Sequence, residues 1–368
     1  MRILHVQKVK GIGGSERHLL SLLPALVASG DTVAMVVLAP GPEAQPFLDA
    51  ATSAAVESIE VPIGLDADPR PVRGIASAIR RFRPDVVHSH LVHADLWGQL
   101  AARRARVPGV RTVHNVQRAV RREPVRSAVR LSGRLARRTI AISEHVAAYV
   151  RRWSLSPGDP IEVIPYGVDL ACFPPERPRR AESRASLGAG SDAFVLGMAS
   201  RMIDGKGHGA AIDAVRRLRT SAPPVLLAIA GDGPLRRDIE GRAGGDSRVR
   251  FVGNLDDVVP FLEGCDALLF PTSPSLGEGF GLAALEAMAE GLPVLASDAG
   301  ALPEVVVDGV TGRIVRGGTD AWSGAIADLA EDIAVRDAMG RAARDRAATF
   351  TIERMVDATR AVYREVAP

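Results

Sequence analysis

The stretch from Phe270 to Val315, FPTSPSLGEGFGLAALEAMAEGLPVLASDAGALPEVVVDGVTGRIV, restricts the fold more than any other part of the chain. The apolar run DALLF before it reads as a strand ending at Pro271. Gly277, Gly279 and Gly281 then surround Glu278 and Phe280 in a loop poor in side chains. Leu282 to Glu290 is a run of helix formers, stopped by Gly291 and Pro293. The next strand, PVLASD, starts at once. Strand, loop, helix and strand in this order are a unit of a parallel α/β sheet.

A glycine loop that opens a helix suits an anion. Without Cβ atoms a phosphate approaches the backbone, and the free N–H groups of the first turn point at it. Glu278 and Glu286 flank that position. Carboxylates repel phosphate but accept hydrogen bonds from neutral hydroxyls. A phosphate with hydroxyl-rich groups on both sides describes a sugar nucleotide; a capped helix with a solvated glutamate face is the plainer alternative.

The segment Glu278-GFGLAAL-Glu286 resembles the Glu-x7-Glu signature of retaining family 4 glycosyltransferases, and GLPVLASDAGALPEVVVDGVTGRIV resembles the continuation usual in that family. The resemblance implies a GT-B fold of class α/β, with two Rossmann-like parallel-sheet domains facing a central cleft. It places Glu278 against donor hexose hydroxyls, Glu286 on the ribose, and the N–H groups of Gly281 and Leu282 on the distal phosphate.

A length of 368 residues leads us to expect two domains. We place them at 1–173 and 191–350, joined by a Pro-, Arg-, Ser- and Gly-rich linker at 174–190. A terminal amphipathic helix at 351–368 is expected to pack back on the first domain. With 46% hydrophobic but 4% aromatic residues, the core must be built from Ala, Val and Leu. Cys172 and Cys265 are too few for a disulfide framework or a Cys-rich metal site. The start, Met1-Arg-Ile-Leu-His-Val, is too polar for a signal sequence, and no run approaches the roughly 20 apolar residues of a membrane span. A cytoplasmic protein is expected, either soluble or at the inner face of the membrane.

Ile3–Val6, the loop Lys8–Glu16, the helix 17–28 and the strand 32–38 form another strand–loop–helix–strand unit. NAD would require an acid at the end of the second strand, which instead ends Val37-Leu38-Ala39-Pro40. GIGGSE resembles the family's N-terminal GG-x-E loop, which implies that Gly13 and Gly14 approach the donor phosphate or the acceptor. Asp66-Ala67-Asp68 has a metal-binding spacing but no preceding strand, and the family normally needs no metal. His88, His90 and His93 raise the same question. No Cys or Glu ligand is near them, and nothing in the sequence is fixed opposite His88 and His90. We therefore expect no metal and no cofactor.

His114 follows the strand 110–113 at a strand end, where such sheets place ligand contacts. It resembles the family histidine that contacts the donor hexose. IPYGVD resembles the family's IPNGVD, with Tyr166 in place of Asn. Ser15, His93, Tyr166 and Arg122 are expected on the acceptor side. In the second domain the resemblance gives Arg201 and Lys206 to the donor pyrophosphate and Asn254 to the loop beside the nucleobase. Two cations and a helix start stabilise a departing diphosphate. The expected catalytic set is His114, Glu278, Arg201 and Lys206.

Residues 103–152 hold fourteen arginines against Glu123 and Glu144. Such a face suits an anionic partner: a membrane surface, a lipid-linked acceptor or a phosphorylated one. Nucleic acid is disfavoured, because no aromatic residues are interleaved for stacking. The function implied is transfer of a hexosyl unit from a nucleotide diphosphate sugar, UDP being the family's commoner choice, to an acceptor hydroxyl. Two alternatives are a sugar-nucleotide 2-epimerase of similar fold and a non-catalytic sugar-nucleotide-binding protein.

Overall fold

The structure, a computed structural model, describes residues 1–39, 41–64, 69–156, 160–218 and 223–367. Asp66 and Asp68 therefore lie outside the described residues. The chain divides into two compact units, Met1–Gly167 with Ile352–Pro368, and Val168–Thr351.

The first unit is built on seven parallel strands: β1 (Arg2–Lys8), β2 (Thr32–Ala39), β3 (Glu57–Pro62), β4 (Val86–His90), β5 (Gly109–Val113), β6 (Arg138–Ala141) and β7 (Ile161–Val163). Their order is β3-β2-β1-β4-β5-β6-β7. The Val-rich β2 is buried at every position after Thr32, as expected of a parallel strand covered on both faces. On one face Ile3, Met35 and Val37 meet Leu19, Leu22 and Leu26 of the helix Gly14–Ala28 and Val362 and Tyr363 of the last helix, Ile352–Val366. On the other, Leu4, Val6 and Val36 meet Ile75, Ile79 and Phe82 of the helix Pro71–Phe82.

The second unit has six parallel strands: β8 (Phe194–Ala199), β9 (Val225–Ala230), β10 (Val249–Gly253), β11 (Ala267–Phe270), β12 (Val294–Ser297) and β13 (Gly312–Val315), in the order β10-β9-β8-β11-β12-β13. Leu196 and Leu227 pack beneath Ile212 and Val215 of the helix His208–Arg217 and Ile326 and Leu329 of the helix Thr319–Glu331. Strand order reverses between β1 and β4 in the first sheet and between β8 and β11 in the second. The crevice outside the carboxyl ends at such a reversal is where open α/β sheets bind ligands.

Two expectations need correction. Residues 174–190 are not a connector between units. The chain crosses from the first unit to the second at Gly167–Val168, and the helix Arg180–Leu187 belongs to the second. Arg180 and Arg184 clamp Asp266 at 2.5 and 2.9 Å, and the Arg179 N–H donates to Glu263 at 2.7 Å. Arg111 does not belong to a solvent-facing arginine surface. It is fully buried and donates to Thr139 Oγ1, Ser132 Oγ and the carbonyls of Val129 and Leu155. Of the other arginines in 103–152, Arg126, Arg138 and Arg151 are paired with Glu123, Glu365 and Glu144.

Candidate functional site

In the second unit the reversal point lies between the loop after β8 and the loop after β11. Gly207, at φ +82°, closes the first loop so near β11 that a Cβ there would sit 2.0 Å from the Pro271 carbonyl oxygen. The Ser273 N–H also donates to the Gly205 carbonyl at 2.7 Å. This contact carries Lys206 to the second loop, where its ammonium meets Glu278 Oε2 at 2.7 Å, both side chains being mostly buried. Glu278 is itself held from behind. Its carbonyl accepts from the Ala301 N–H at 3.0 Å, and a Cβ on Gly300 would overlap that carbonyl oxygen at 2.1 Å. Gly281, at φ +102°, is the N-cap of the helix Leu282–Ala289. Glu286 is half-buried on that helix. Arg201 and Asn254 are exposed, just beyond β8 and β10. A cavity of about 660 Å³ at the carboxyl ends of β11, β12 and β13 is lined by Gly205, Gly207, His208, Thr272, Asp298 and Trp322 among others, but not by Lys206 or Glu278.

In the first unit the reversal point holds a cluster of rings. β1 and β4 pair so that His5 lies beside His88 and Gln7 beside His90. Alternation along β4 puts His88 and His90 on one face with His5. His5 Nδ1 is hydrogen-bonded to His90 Nε2 at 3.0 Å, and His90 Nδ1 to His114 Nε2 at 2.9 Å. His114 Nδ1 is bonded to Tyr166 Oη at 2.7 Å. His88 lies between two hydroxyls, with Nδ1 at 2.6 Å from Tyr363 Oη and Nε2 at 2.7 Å from Thr112 Oγ1. His18 stacks on the Tyr166 ring, centroids 4.5 Å apart at 20°. Burial pushes His5 and His18 down to about 3 and holds His88, His90 and His114 well below the usual imidazole range, so all five are neutral near pH 7.

The loop Gly13–Glu16 stands at the end of β1. Glu16 ties it down, accepting from Gln7 Nε2 at 2.6 Å and from the Gly13 N–H and Ser15 Oγ at 3.0 Å each. A Cβ on Gly14 would meet open space. His93 is half-buried in the first turn of the helix Val92–Ala105. Arg122 is exposed at the N-cap of the helix Glu123–Leu135.

Of the residues singled out in the sequence, the structure joins Lys206 to Glu278 and His114 to Tyr166. The sequence shows nothing opposite His88 and His90; in the fold His5, Thr112, His114 and Tyr363 stand there. Tyr363 lies 275 residues from His88, and only the fold brings them together. A hint for His5 was available in its position on an alternating strand. His5, His88 and His90 also bring ring nitrogens within 4.8 Å of one another, a grouping a transition metal can use. Hydrogen bonds already engage both nitrogens of His88, His5 Nδ1 and His90 Nε2, so a metal would have to displace them.

The chain resembles known proteins in both sequence and fold. The family model for glycosyl transferases group 1 matches residues 179–346, and that for glycosyltransferase family 4 matches residues 12–171. The D-inositol 3-phosphate glycosyltransferase of Mycolicibacterium vanbaalenii is 32% identical over 95% of this chain and 85% of the relative. That of Streptomyces avermitilis is 30% identical over 98% and 84%. Among solved structures, Anabaena HepE in complex with UDP and glucose superposes with a TM-score of 0.83 at 20% identity, covering 99% of this chain and 100% of HepE. Sucrose-phosphate synthase from Thermosynechococcus elongatus gives 0.83 at 23% identity, covering 99% and 98%. These structures share the GT-B fold, and the sequence relatives fix the family: the chain is a member of the family 4 glycosyltransferases.

Proposed function

We propose that this glycosyltransferase moves a hexosyl unit from a UDP sugar to a hydroxyl of a phosphorylated polyol, with retention at the anomeric carbon and without a metal. The observation that carries the reading is the Lys206–Glu278 pair, 2.7 Å apart at the strand-order reversal beside the glycine-capped helix Leu282–Ala289. Lys206 supplies a cation for the diphosphate, and Glu278 supplies an acceptor for hexose hydroxyls. Arg201 and the first N–H groups of the helix add to the charge that stabilises the departing UDP. No carboxylate is assigned as a nucleophile, so a front-face route is proposed. The bond from the anomeric carbon to the phosphate oxygen breaks, the acceptor oxygen bonds to the same face, and the departing phosphate takes the acceptor proton. UDP is held by HepE, and the relatives are named for D-inositol 3-phosphate. Both support the choice of donor and acceptor class. The exposed arginines of 103–152 favour an anionic acceptor, and the same face is proposed to touch anionic membrane.

The test is a panel of UDP and GDP sugars incubated with D-inositol 3-phosphate or unphosphorylated inositol, products being read by mass spectrometry and anomeric proton coupling. Turnover of a UDP sugar with the phosphorylated acceptor and an unchanged anomeric configuration is expected. An inverted product would remove the front-face mechanism. Activity confined to the unphosphorylated acceptor would remove the acceptor class, and an epimer formed from donor alone would favour the epimerase alternative. Equal recovery with neutral and anionic vesicles would remove the membrane contact.

A further inference from the structure

The loop that carries Glu278 is glycine at every second position, and Gly277 and Gly281 have φ of +73° and +102°. Such a backbone has many conformations open to it, so holding one of them costs entropy. Phe280 is the one apolar side chain between Gly277 and Gly281, and it is 3% exposed. Its ring packs edge-on with that of Phe350, centroids 5.8 Å apart at 74°. Phe350 is fixed in turn. Just past the helix Ile333–Ala347, its N–H donates to the Ala347 carbonyl at 2.8 Å, and its carbonyl accepts from the Val168 N–H at 2.9 Å. The Arg346 guanidinium lies over the Phe350 ring, 4.8 Å from its centroid, and donates through Nη2 to the Glu304 carbonyl at 2.8 Å. Glu304 belongs to the short helix Leu302–Val305, which walls the same loop from another side. The Ala301 N–H before that helix holds the Glu278 carbonyl at 3.0 Å, and a Cβ on Gly281 would lie 2.7 Å from Leu302 Cδ2. The contacts thus close on themselves: loop, Phe280, Phe350, Arg346, Glu304, and back to the loop through Leu302 and Ala301. All of them lie within the second unit.

We infer that Phe350 and Arg346 are positioning residues for the glycine loop. Arg346 holds the Phe350 ring, and that ring holds Phe280. Through Phe280 the pair keeps Glu278 and the first N–H groups of the helix Leu282–Ala289 in a single arrangement. Edge-on aromatic pairs and a cation over a ring face are both directional, so they select one loop conformation where burial alone would accept several. Neither residue is assigned a contact with a ligand; each acts through the loop. That the loop then receives the distal phosphate of UDP rests on the transferase reading, whereas the bracing of the loop does not.

The first experiment is hydrogen exchange of the full chain, resolved to single amides. The Ala284 and Leu285 N–H groups donate to the Gly281 carbonyl and the Ala301 N–H to that of Glu278, so their exchange reports on the loop. In Phe350→Ala these three should exchange about tenfold faster, while the amides of β9 keep their rates. Unchanged rates at the three overturn the inference, and so does an equal rise in β9, which would mean a general loss of stability. Phe350→Tyr keeps the ring and should restore the wild-type rates; rates as fast as in Phe350→Ala overturn it. Should Phe350→Ala not fold, Phe350→Leu keeps apolar bulk without an aromatic partner for Phe280 and must show the same local rise. The second experiment is calorimetric binding of UDP and UMP, which differ by the distal phosphate. Phe350→Ala should raise the Kd of UDP about tenfold and leave that of UMP unchanged, as expected when preorganisation is lost at one end of a ligand. Equal weakening of both nucleotides overturns the inference. Arg346→Met should weaken UDP about threefold. The double variant should lose less than the product of the two single losses, because both act on one ring; a full product overturns the shared brace. A wild-type protein that binds neither nucleotide fails the transferase reading, and the exchange rates then decide the brace.

Discussion

Lowering the pH from about 7.5 to about 5.5 should unfold the first unit and spare the second. His5, His18, His88, His90 and His114 all belong to the first unit, and burial holds all five below the usual imidazole value. In the unfolded chain each takes up a proton below about 6.5, whereas in the folded unit none does. Stability is thus fully present above that value and falls with pH. One pH unit below it, each ring costs about 1.4 kcal/mol, and five cost about 7 kcal/mol. Asp95 opposes them, because burial raises its carboxyl to about 6. It is protonated when folded and ionised when unfolded, which returns about 1 kcal/mol. The net loss of about 6 kcal/mol is comparable to the whole stability of many domains. It corresponds to a fall in Tm of about 12–24 °C for a unit of this size. In the second unit, His208, lowered to about 4, and Glu290, raised to about 7, act in opposite directions and nearly cancel. Calorimetry at the two pH values, with hydrogen exchange mapped by peptide to tell the units apart, measures the effect. An acid-insensitive first unit, or equal losses in both, would refute the reasoning that the five rings are neutral and shielded.

Lys206→Ala should lower kcat by about 100-fold or more, read as UDP release under saturating donor, because a cation facing the developing charge is lost; unchanged kcat would count against the proposed site. Arg111→Met should cost about 1–3 kcal/mol by thermal denaturation, since it strands the Leu155 carbonyl in the interior, while the Val129 carbonyl keeps the Ser132 hydroxyl. Arg111→Lys should not restore the loss, because a single ammonium cannot replace the guanidinium fork. Glu290→Gln should raise Tm at pH 8 and lose that gain toward pH 5. Burial raises the Glu290 carboxyl from 4.5 to about 7 despite Arg177 at 3.1 Å, so stability is lost as the pH rises through that range and the loss is complete above about 7. A Glu290→Gln gain that grows as the pH falls would reverse this assignment.

Much of the fold was legible because its signals are local. The strand before Pro271 and the glycine loop were marked by residues that act within a few positions of themselves. So was the helix that begins at Leu282, and the structure has these elements as β11, a Gly281 cap and the helix Leu282–Ala289. The linker was misplaced because Pro, Arg, Ser and Gly at 174–190 look solvent-exposed until Glu263 and Asp266, some 80 residues later, pair with the arginines. Arg111 looks like a surface charge because nothing in its neighbours along the chain announces the Leu155 carbonyl to which it donates.

The sequence by itself determined that this chain is a pair of parallel α/β units carrying a glycine-capped helix flanked by carboxylates, because glycine, proline and hydrophobic period act over short distances. Only the tertiary structure decided which charges meet and which are buried. The approach of Lys206 to Glu278 is made by two loops that follow different strands. The link of His88 to Tyr363 is made by a sheet and a helix from opposite ends of the chain. Burial and hydrogen-bond partners depend on neighbours in space, and those neighbours are chosen by strand order and helix packing rather than by adjacency along the chain.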